Sequence, residues 1–565
     1  MTTQATTTVS TYLFNRMAEL GANHVFGIPG DYVLPLFDEL IDGDHNSKHV
    51  LVCNELNGAY AADGYAKLSG FGAMAVTFGV GSLSTANAVG GAYADDTPMV
   101  VIAGAPSVEV ITTPSRRKLH HVMDQDFDAY LKAFAPITVA AHRLMSAETA
   151  AQEIDDILRL SYQSKKPIYL EIPYDIQTAK IPVANQALDL MMHQSSDDGL
   201  KAAVDAAVAV LKECRTRTVV TGHLLQREKL IEPAKALVEG LNAGVATTFV
   251  GKISDFEGHP NAVGLYMGAM SNDATLKAVE SADVSIALGM SFNEFDTGVF
   301  TGKMGTDQHN IWVDFDQVTV DGVVFDKVYL RDFLPALISA VQDIKPGDLM
   351  VGKDDRRFCF QRSDAFEPTD APLTIDRLFV QFSNYAKEGD VFYGDTGGYI
   401  NGSQAEFPVG MDIYGVGNWG SLGAGFGMFM GGVFAKEVEG RRTYMISGDG
   451  AFHMTAQEVS TLIKYDIDTV IFVLDNSGYG AERQIYPGKE RSYNNTPVWN
   501  YEELGSAFGG VKGVNTKGYV ARTEKEMADI LKQLSAPKGV NIVRIMLDPW
   551  DSASFNVKFS EALRH

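Results

Sequence analysis

The residues best suited to chemistry in this 565-residue chain follow two short apolar runs in its last third. Gly448-Asp449-Gly450 follows TYMIS, and Asp475-Asn476 follows TVIFVL. Open α/β sheets bind ligands at the carboxyl ends of neighbouring strands, so we expect both groups at one sheet edge. A carboxylate, an amide oxygen and the nearby Gly478 carbonyl are hard oxygen ligands suited to octahedral Mg²⁺, which usually completes its shell with phosphates.

The same residue types are common in turns, because aspartate and asparagine beside glycine favour tight backbone turns. On these residues alone, both interpretations stay open. A second pattern, Gly415-Val-Gly417-Asn-Trp-Gly420, matches the GxGxxG dinucleotide fingerprint. That fingerprint requires an acidic residue at the end of the next strand, whereas Glu437 and Glu439 precede RTYMIS. The order of these residues argues against a dinucleotide site.

Short apolar runs that end near glycine recur along the chain and are typical of buried parallel strands. They are HVFGIPG, MAVTFGVG and MVVIAGAP, then TVVTGH, VSIALGM and IWVDFD, and finally VFYGDTGG, TYMISGDG, TVIFVLDN and NIVRIML. Helical periodicity lies between them, as in LKAAVDAAVAVLKE and TAQEVSTLIKYD, and it is lost over residues 179–199 and 345–372. The pattern predicts an α/β protein of three doubly wound parallel-sheet domains, over residues 1–185, 186–350 and 370–565.

Composition limits the classes of partner. Hydrophobic residues make up 45% and charged residues 21% of the chain, as in globular proteins. A net charge of -24 without a basic cluster argues against a nucleic-acid partner. No run of about 18 apolar residues and no signal segment is present, so we expect a cytoplasmic protein without a membrane partner. Cys53, Cys214 and Cys359 lack the spacing of a disulfide framework or a zinc site.

The segment GDGAFHMTAQEVSTLIKYDIDTVIFVLDNSGYG resembles the diphosphate- and magnesium-binding motif of thiamine diphosphate enzymes. In that motif an asparagine lies 27 residues after the aspartate, as Asn476 does after Asp449. The resemblance implies thiamine diphosphate and Mg²⁺ as cofactors, with Asp449, Asn476 and Gly478 as the metal ligands. The family usually has two asparagines here, and Asp475 replaces the first.

The segment LVCNELNGAYAADGYAKLSG resembles the pyrimidine-binding domain of the same enzymes. The resemblance implies that Glu55 contacts N1′ of the cofactor's aminopyrimidine. Taken alone, Glu55 is better explained as an acid at a helix start, where the macrodipole favours it, but beside the Gly448-Asp449-Gly450 motif the cofactor contact is favoured. The resemblance also implies cofactor contacts at Thr396, Gly420, Leu422, Gly450 and Ala451, with Leu422 supporting the bent conformation of the cofactor.

Within this family, the chain resembles the 2-keto acid decarboxylases. GIPGDYVLPLF places Asp31 at their catalytic aspartate, KLHHVMDQDF places His120 and His121 at their paired histidines, and GYGAERQIYPG places Glu482 at a fourth position. Histidines transfer protons near neutral pH with little tuning. The resemblance assigns these four residues to placing the substrate carboxylate, transferring protons and releasing the aldehyde. A surface histidine pair, and a helix-surface pair of Glu482 with Arg483, are the alternatives.

Specificity depends on fewer residues. Ile400 and Ala481 stand where narrow pyruvate decarboxylases often carry larger side chains, and with Ile485 they are expected to line the substrate pocket. ERQIYPGKERSYNNTPVWNYEEL resembles the broad-range and aromatic members of the group. We therefore expect a small-molecule 2-keto acid substrate and a broad range, favouring phenylpyruvate, indolepyruvate or branched-chain acids.

Three alternatives remain for the activity: a pyruvate decarboxylase, a carboligase of the acetolactate synthase type, and a non-catalytic α/β binding protein. The paired histidines favour a decarboxylase over the other two. In the family, the cofactor lies between domains of two subunits, so the resemblance implies a homodimer or a homotetramer.

Overall fold

The computed structural model describes residues 5–113, 118–184, 186–350 and 357–562. The chain divides into two compact units. The first comprises Met1–Met192, Asn418–Gly440 and Thr455–Ile467, and the second comprises His193–Gly417, Arg441–Met454 and Asp468–His565. Residue 185, a predicted domain boundary, and residues 351–356 of the predicted linker lie outside the described residues. Among the helices that are described, none combines the length and the apolar character needed to cross a membrane.

Residues 5–184 form a six-stranded parallel sheet and a short antiparallel pair. The strands are β1 Thr6–Thr8, β2 His24–Gly27, β3 Lys48–Leu51, β4 Gly72–Val76, β5 Met99–Ala105, β6 Ala140–Arg143, β7 Ile168–Pro173 and β8 Lys180–Pro182. The helices are α1 Val9–Glu19, α2 Leu34–Asp42, α3 Glu55–Ser69, α4 Val80–Ala94, α5 Val108–Thr112, α6 Ala129–Phe134, α7 Ala147–Ser164 and α8 Tyr174–Gln177. The parallel sheet has the order β3-β2-β4-β5-β7-β6, and β1 pairs with β8. Every residue of β5 is buried, as expected of a parallel strand covered on both faces.

Residues 186–350 form a seven-stranded mixed sheet. The strands are β9 Arg217–Thr221, β10 Gly244–Thr248, β11 Ala262–Tyr266, β12 Val284–Leu288, β13 His309–Val313, β14 Gln317–Val320 and β15 Val323–Asp326. The helices are α9 Asp197–Glu213, α10 Leu224–Arg227, α11 Ile231–Leu241, α12 Ser254–Glu257, α13 Asp273–Glu280 and α14 Leu330–Ala340. The order is β11-β10-β9-β12-β13-β14-β15; the first five strands are parallel, and the hairpin of β14 and β15 extends the sheet antiparallel.

Residues 357–562 form a third sheet of six parallel strands. The strands are β16 Val391–Gly394, β17 Asp412–Gly415, β18 Thr443–Gly448, β19 Thr469–Asp475, β20 Thr516–Ala521 and β21 Val540–Met546. The helices are α15 Ile375–Tyr385, α16 Thr396–Ser403, α17 Ala424–Gly432, α18 Asp449–Thr455, α19 Val459–Lys464, α20 Gly480–Ile485, α21 Leu504–Ala507, α22 Glu524–Gln533 and α23 Asn556–Ala562. The order β17-β16-β18-β19-β21-β20 completes the predicted α/β class of three sheets rich in parallel strands.

Each strand predicted from an apolar run is present. Both predicted helical segments contain helix, but one of them is interrupted. TAQEVSTLIKYD does not form a single helix, because a 3₁₀ turn at Ala456–Glu458 separates α18 from α19. The side chain of Glu458 in this turn is fully buried. The turn therefore aims a carboxylate into the interior of the first unit, where a continuous helix would follow a different path.

Helices α3 and α17 pack closely inside the first unit. A Cβ at Gly64 would lie 2.0 Å from the Met428 carbonyl oxygen, and one at Gly431 would lie 1.9 Å from that of Ala61. Only glycine permits this backbone approach at either position. The two helices therefore hold fixed positions relative to each other, and α3 begins at Glu55.

Candidate active site

Asp449 and Asn476 lie at one edge of the third sheet, as the sequence predicted. Strands β18 and β19 are parallel neighbours, with Gly448 opposite Leu474, so both chains leave the sheet at the same end. The buried Asp449 carboxylate accepts hydrogen bonds from the backbone N–H groups of Gly450 and Gly478, each at 2.8 Å, and from Thr496 Oγ1 at 3.3 Å. Asp449 thus holds the loop that follows β19.

The electrostatics of this edge fit a divalent cation. Burial raises the pKa of Asp449 to about 7, and the nearby charge of Asp475 adds to the rise against the opposing hydrogen bonds. Among the described residues, no lysine or arginine forms an ion pair with Asp449. A buried carboxylate without a countercharge is costly, and a bound Mg²⁺ would supply that charge. The oxygen donors present therefore fit the metal that the resemblance implies.

Asp475 has a different environment from Asp449. Arg544 Nε donates to its Oδ2 at 2.7 Å, and the side chains of both residues are largely buried. The carboxylate that replaces the family's usual asparagine is therefore paired with an arginine of the neighbouring strand β21.

Arg483 binds the same loop, a contact that the sequence did not predict. Its guanidinium donates to the carbonyl oxygens of Asn476 and Ser477, each at 3.2 Å, and pairs with Glu490 at 3.2 Å. The expected alternative, a surface pair of Glu482 with Arg483, is not formed. Glu482 is instead exposed on α20, one residue before the buried Arg483.

The remaining predicted residues of the second unit lie on short helices near this edge. Thr396 begins α16 directly after Asp395, whose side chain accepts from the Thr396 N–H at 2.9 Å. Since β16 and β18 are paired neighbours, α16 begins at the same end of the sheet as α18. Gly450 and Ala451 open α18, where a Cβ at position 450 would lie 2.5 Å from the Tyr479 ring.

The predicted substrate-pocket residues are on α16 and α20. Ile400 packs against the core of the second unit, while Ala481 is half-buried and Ile485 is exposed at 37%. Both helices follow strands of the third sheet at its carboxyl end. The three side chains therefore belong to elements that begin at the Asp449 edge.

The first unit brings Asp31, His120 and His121 together. His120 Nε2 lies 2.7 Å from Asp31 Oδ2, and the two imidazole centroids are 4.3 Å apart. Thr77 Oγ1 donates to Asp31 Oδ1 at 3.0 Å. Burial alone would raise the pKa of Asp31, but the hydrogen bonds from His120 and Thr77 outweigh it and hold that pKa below its ordinary value. The carboxylate is therefore ionised at neutral pH.

His121 adopts an uncommon backbone conformation. Its φ is 62°, in the left-handed region that non-glycine residues rarely occupy. The Tyr130 hydroxyl donates to the His121 carbonyl at 2.6 Å, which holds the loop in place. The Nδ1 atom of His121 is buried and has no hydrogen-bond partner among the described residues. Strain at a chemically competent residue is typical of functional sites, and it supports the predicted importance of the histidine pair.

Glu55 is the first residue of α3, after the Asn54 side chain that caps the helix. The buried Glu458 carboxylate accepts from the Cys53 N–H and from Asn57 Nδ2, both at 2.9 Å. Burial raises the pKa of Glu458, and these hydrogen bonds oppose the rise. Glu458 thus holds the backbone before Glu55 and the Asn57 side chain after it, a role that no motif in the sequence indicated.

Gly420 and Leu422 flank a residue that ties them to α3 and α4. Between them, Ser421 Oγ lies 2.8 Å from the Tyr60 hydroxyl and accepts from Asn87 Nδ2 at 3.0 Å. These contacts lie within the first unit, which also contains Glu55. Gly420 has a φ of 65°, so the segment depends on glycine at the turn before Leu422.

Comparison with known proteins identifies the family. Three family models match in order: the thiamine pyrophosphate enzyme N-terminal TPP binding domain over residues 7–130, the central domain over residues 204–338 and the C-terminal TPP binding domain over residues 404–545.

Full-length relatives match as well. Pyruvate decarboxylase isozyme 1 of Saccharomyces cerevisiae is 30% identical over 555 residues, covering 96% of each chain. A probable pyruvate decarboxylase of Schizosaccharomyces pombe is 31% identical over 567 residues, covering 99% of this chain and 97% of its own. The pyruvate decarboxylase of Aspergillus fumigatus is 31% identical over 548 residues, covering 93% and 91%. This chain therefore belongs to the family of thiamine diphosphate-dependent 2-keto acid decarboxylases.

Proposed function

We propose that this decarboxylase accepts a broad range of 2-keto acids, favours aromatic or branched-chain substrates, and releases CO₂ and the corresponding aldehyde. The observation that carries the proposal is the Asp31–His120 contact at 2.7 Å, with the His121 ring edge-to-face with His120 at a centroid distance of 4.3 Å. Such a cluster can hold and move protons at neutral pH, which aldehyde release requires. Pyruvate itself is the alternative substrate, as the names of the relatives suggest.

The cofactor contacts that we propose follow the family resemblance. Asp449, Asn476 and Gly478 would bind Mg²⁺, and Glu55 would bind the aminopyrimidine. The support for this assignment is the buried Asp449 carboxylate without a protein countercharge. When bound, thiamine diphosphate supplies the electron sink for the charge left as CO₂ departs.

Further cofactor contacts would come from Thr396, Gly420, Leu422, Gly450 and Ala451. The starts of α16 and α18 contribute Thr396 and the Gly450-Ala451 pair. Leu422 follows the turn at Gly420 in the first unit. These positions would shape the cofactor and orient it.

Asp31 and His120 would form the proton-transfer pair. Because Asp31 is ionised, it favours the tautomer of His120 that carries hydrogen on Nε2. His120 Nδ1 then faces the Tyr32 hydroxyl at 3.5 Å as an acceptor. This arrangement would let His120 exchange a proton at Nδ1 while Asp31 stabilises the charged imidazole. We assign His121 and the exposed Glu482 to the same set.

The preference for bulky acids is supported by side-chain size. Ile400 and Ala481 present less volume than an aromatic and a branched residue would, and Ile485 is partly open to solvent. Apolar pockets discriminate by only about 1–3 kcal/mol per methylene, so a broad range is expected rather than strict selection.

We further propose a homodimer or homotetramer located in the cytoplasm, with domains at 1–185, 186–350 and 370–565. Each matched family region falls inside one of these ranges, which supports the limits. The oligomer follows from the family resemblance, in which two subunits share each cofactor. Sedimentation of the purified protein at several concentrations tests it, and a monomer with full activity would contradict it.

The deciding experiment measures aldehyde formation from pyruvate, 2-ketoisovalerate, phenylpyruvate, indolepyruvate and benzoylformate. Each assay is run with thiamine diphosphate and Mg²⁺ and repeated after their removal. Cofactor-dependent turnover with higher kcat/KM for the bulky acids supports the proposal. A strong preference for pyruvate would refute the pocket assignment, and acetolactate in place of aldehyde would indicate a carboligase.

A further inference from the structure

A pocket of about 320 Å³ lies between α15 and α22 in the second unit. Phe366, Pro368 and Leu531 provide apolar walls, and the volume is at the lower end of the range for small-molecule sites. Arg377 packs over the Phe366 ring at 4.0 Å and so fixes one wall. The cavity is therefore shaped for a small ligand with an apolar body.

Two buried polar side chains line this pocket with atoms that lack partners. Gln381 is 4% exposed, and neither its Nε2 nor its Oε1 has a hydrogen-bond partner among the described residues. The same is true of Arg442 Nη1. Leaving buried polar groups unpaired is costly, so three such atoms on one pocket require an explanation.

The other nitrogens of Arg442 are fully engaged, which leaves Nη1 as its one free donor. Nε donates to Asp390 Oδ1 at 3.0 Å, and Nη2 donates to Asp390 Oδ2 and, at 2.8 Å, to the Tyr385 carbonyl. The guanidinium also lies 4.0 Å from the centre of the Tyr385 ring. Arg442 is therefore rigidly held and cannot turn Nη1 toward another protein acceptor.

The charge at the pocket favours an anionic ligand. Lys387 and Lys532 line it and are exposed. Lys532 also contacts Asp529 at 3.2 Å, whereas no ion pair of Lys387 is formed with the described residues. Two ammonium groups and a guanidinium donor line a pocket whose lining, among the described residues, includes no carboxylate.

This pocket is at the opposite end of the third sheet from Asp449. Arg442 immediately precedes β18, and Asp449 immediately follows it. Six residues of extended strand separate these ends by about 20 Å. A ligand in the pocket would therefore not contact the Asp449 edge.

We propose that this pocket is a second binding site, for a small carboxylate that carries an apolar side chain and a hydrogen-bond donor next to the carboxylate, as in a 2-hydroxy or 2-amino acid. Its carboxylate accepts from Arg442 Nη1 and Gln381 Nε2, and its hydroxyl or amino group donates to Gln381 Oε1. The apolar side chain packs against Phe366 and Leu531. The proposal goes beyond the decarboxylase activity and does not depend on it.

The test is a calorimetric titration of the full-length holoenzyme with 3-phenyllactate and, in a second arm, with phenylalanine. Gln381→Leu removes both free amide atoms at nearly the same volume. Gln533→Leu is the matched control, because Gln533 is an exposed residue of α22 outside the pocket. We expect one class of sites to disappear in Gln381→Leu and to persist in Gln533→Leu. The probe that binds with the lower Kd shows whether the site prefers a hydroxyl or an amino group next to the carboxylate.

Two further measurements make the outcome decisive. 3-Phenylpropionate, which lacks the donor, should bind about tenfold more weakly than the better probe, since the Gln381 acceptor is left unpaired. The Tm of Gln381→Leu should equal or exceed that of the parent, with decarboxylase turnover unchanged. Equal binding of the probes to both variants, or a large loss of Tm in Gln381→Leu, would each overturn the proposal.

Discussion

Replacing Thr77 by valine tests whether the ionisation of Asp31 limits catalysis at low pH. The Thr77 hydroxyl donates to Asp31 Oδ1 at 3.0 Å and helps to hold the pKa of Asp31 below its ordinary value. Valine keeps the shape of threonine but removes this donor. A hydrogen bond to a charged group contributes about 1.5–3 kcal/mol when buried. The Asp31 side chain is 49% exposed, so solvent screening reduces this to about 0.5–1 kcal/mol.

The sign of the effect follows from the direction of the shift. A depressed pKa keeps Asp31 ionised until the pH falls through that value, and losing the donor raises it. The acid limb of kcat/KM should therefore move toward higher pH by about half a pH unit, at 1.36 kcal/mol per unit. The alkaline limb should stay in place, because within the described part of the chain Thr77 is linked to His120 only through Asp31.

The assay is the pH profile of kcat/KM for the best substrate, with Thr77→Ser as the control. Serine retains the hydroxyl and should keep the acid limb of the parent. An acid limb that stays fixed in Thr77→Val, or that moves equally in both variants, would refute the assignment of Asp31 to proton transfer.

Three other substitutions test the remaining assignments. Glu55→Gln should lower turnover by orders of magnitude with an unchanged circular dichroism spectrum, and near-normal turnover would remove Glu55 from the mechanism. Ile400→Trp should shift the kcat/KM ranking toward pyruvate, while Ile400→Val should not; an unchanged ranking contradicts the pocket. Glu458→Leu removes the oxygen that accepts from the N–H of Cys53 and from Asn57 Nδ2, so Tm should fall and the cofactor concentration for half-maximal activity should rise. If both values stay at those of the parent, Glu458 does not position Glu55.

The parallel strands were predictable because each is a short apolar run with its own boundary signals. MVVIAGA and TVIFVLD are buried along their whole length, and such runs need no information from distant residues. The hairpin of β14 and β15 was not predicted, although Asp321-Gly322 is a two-residue turn signal. Both residues have positive φ, 47° and 80°, as a tight hairpin of this kind requires. Its two strands are only four residues long, and Val323 and Val324 of β15 are exposed, so the hairpin lacks the longer buried run on which the prediction relied.

The position of Asp449 and Asn476 at one edge of the third sheet (the metal edge) was predictable for a similar reason. Each follows an apolar run, and the carboxyl ends of neighbouring parallel strands lie at the same edge of a sheet. The residues that support the site were not predictable. Glu458 lies 405 residues from its partner Cys53, and Thr77 lies 46 residues from Asp31. Neither residue type nor local spacing marks such contacts, because they depend on how separate segments pack.

The ion pair of Asp475 and Arg544 explains how the site tolerates its departure from the family pattern. An unpaired aspartate beside Asp449 would add a second negative charge to a buried region and would raise the pKa of Asp449 further. Arg544, on the neighbouring strand β21, supplies a matching positive charge at 2.7 Å. Arg544 offsets part of the charge that Asp475 adds to this edge, while Arg544 also lies 3.5 Å from Glu502 and the Asp475 charge still raises the pKa of Asp449. The substitution in the motif is therefore partly compensated by a residue 69 positions away, which lies outside the motif.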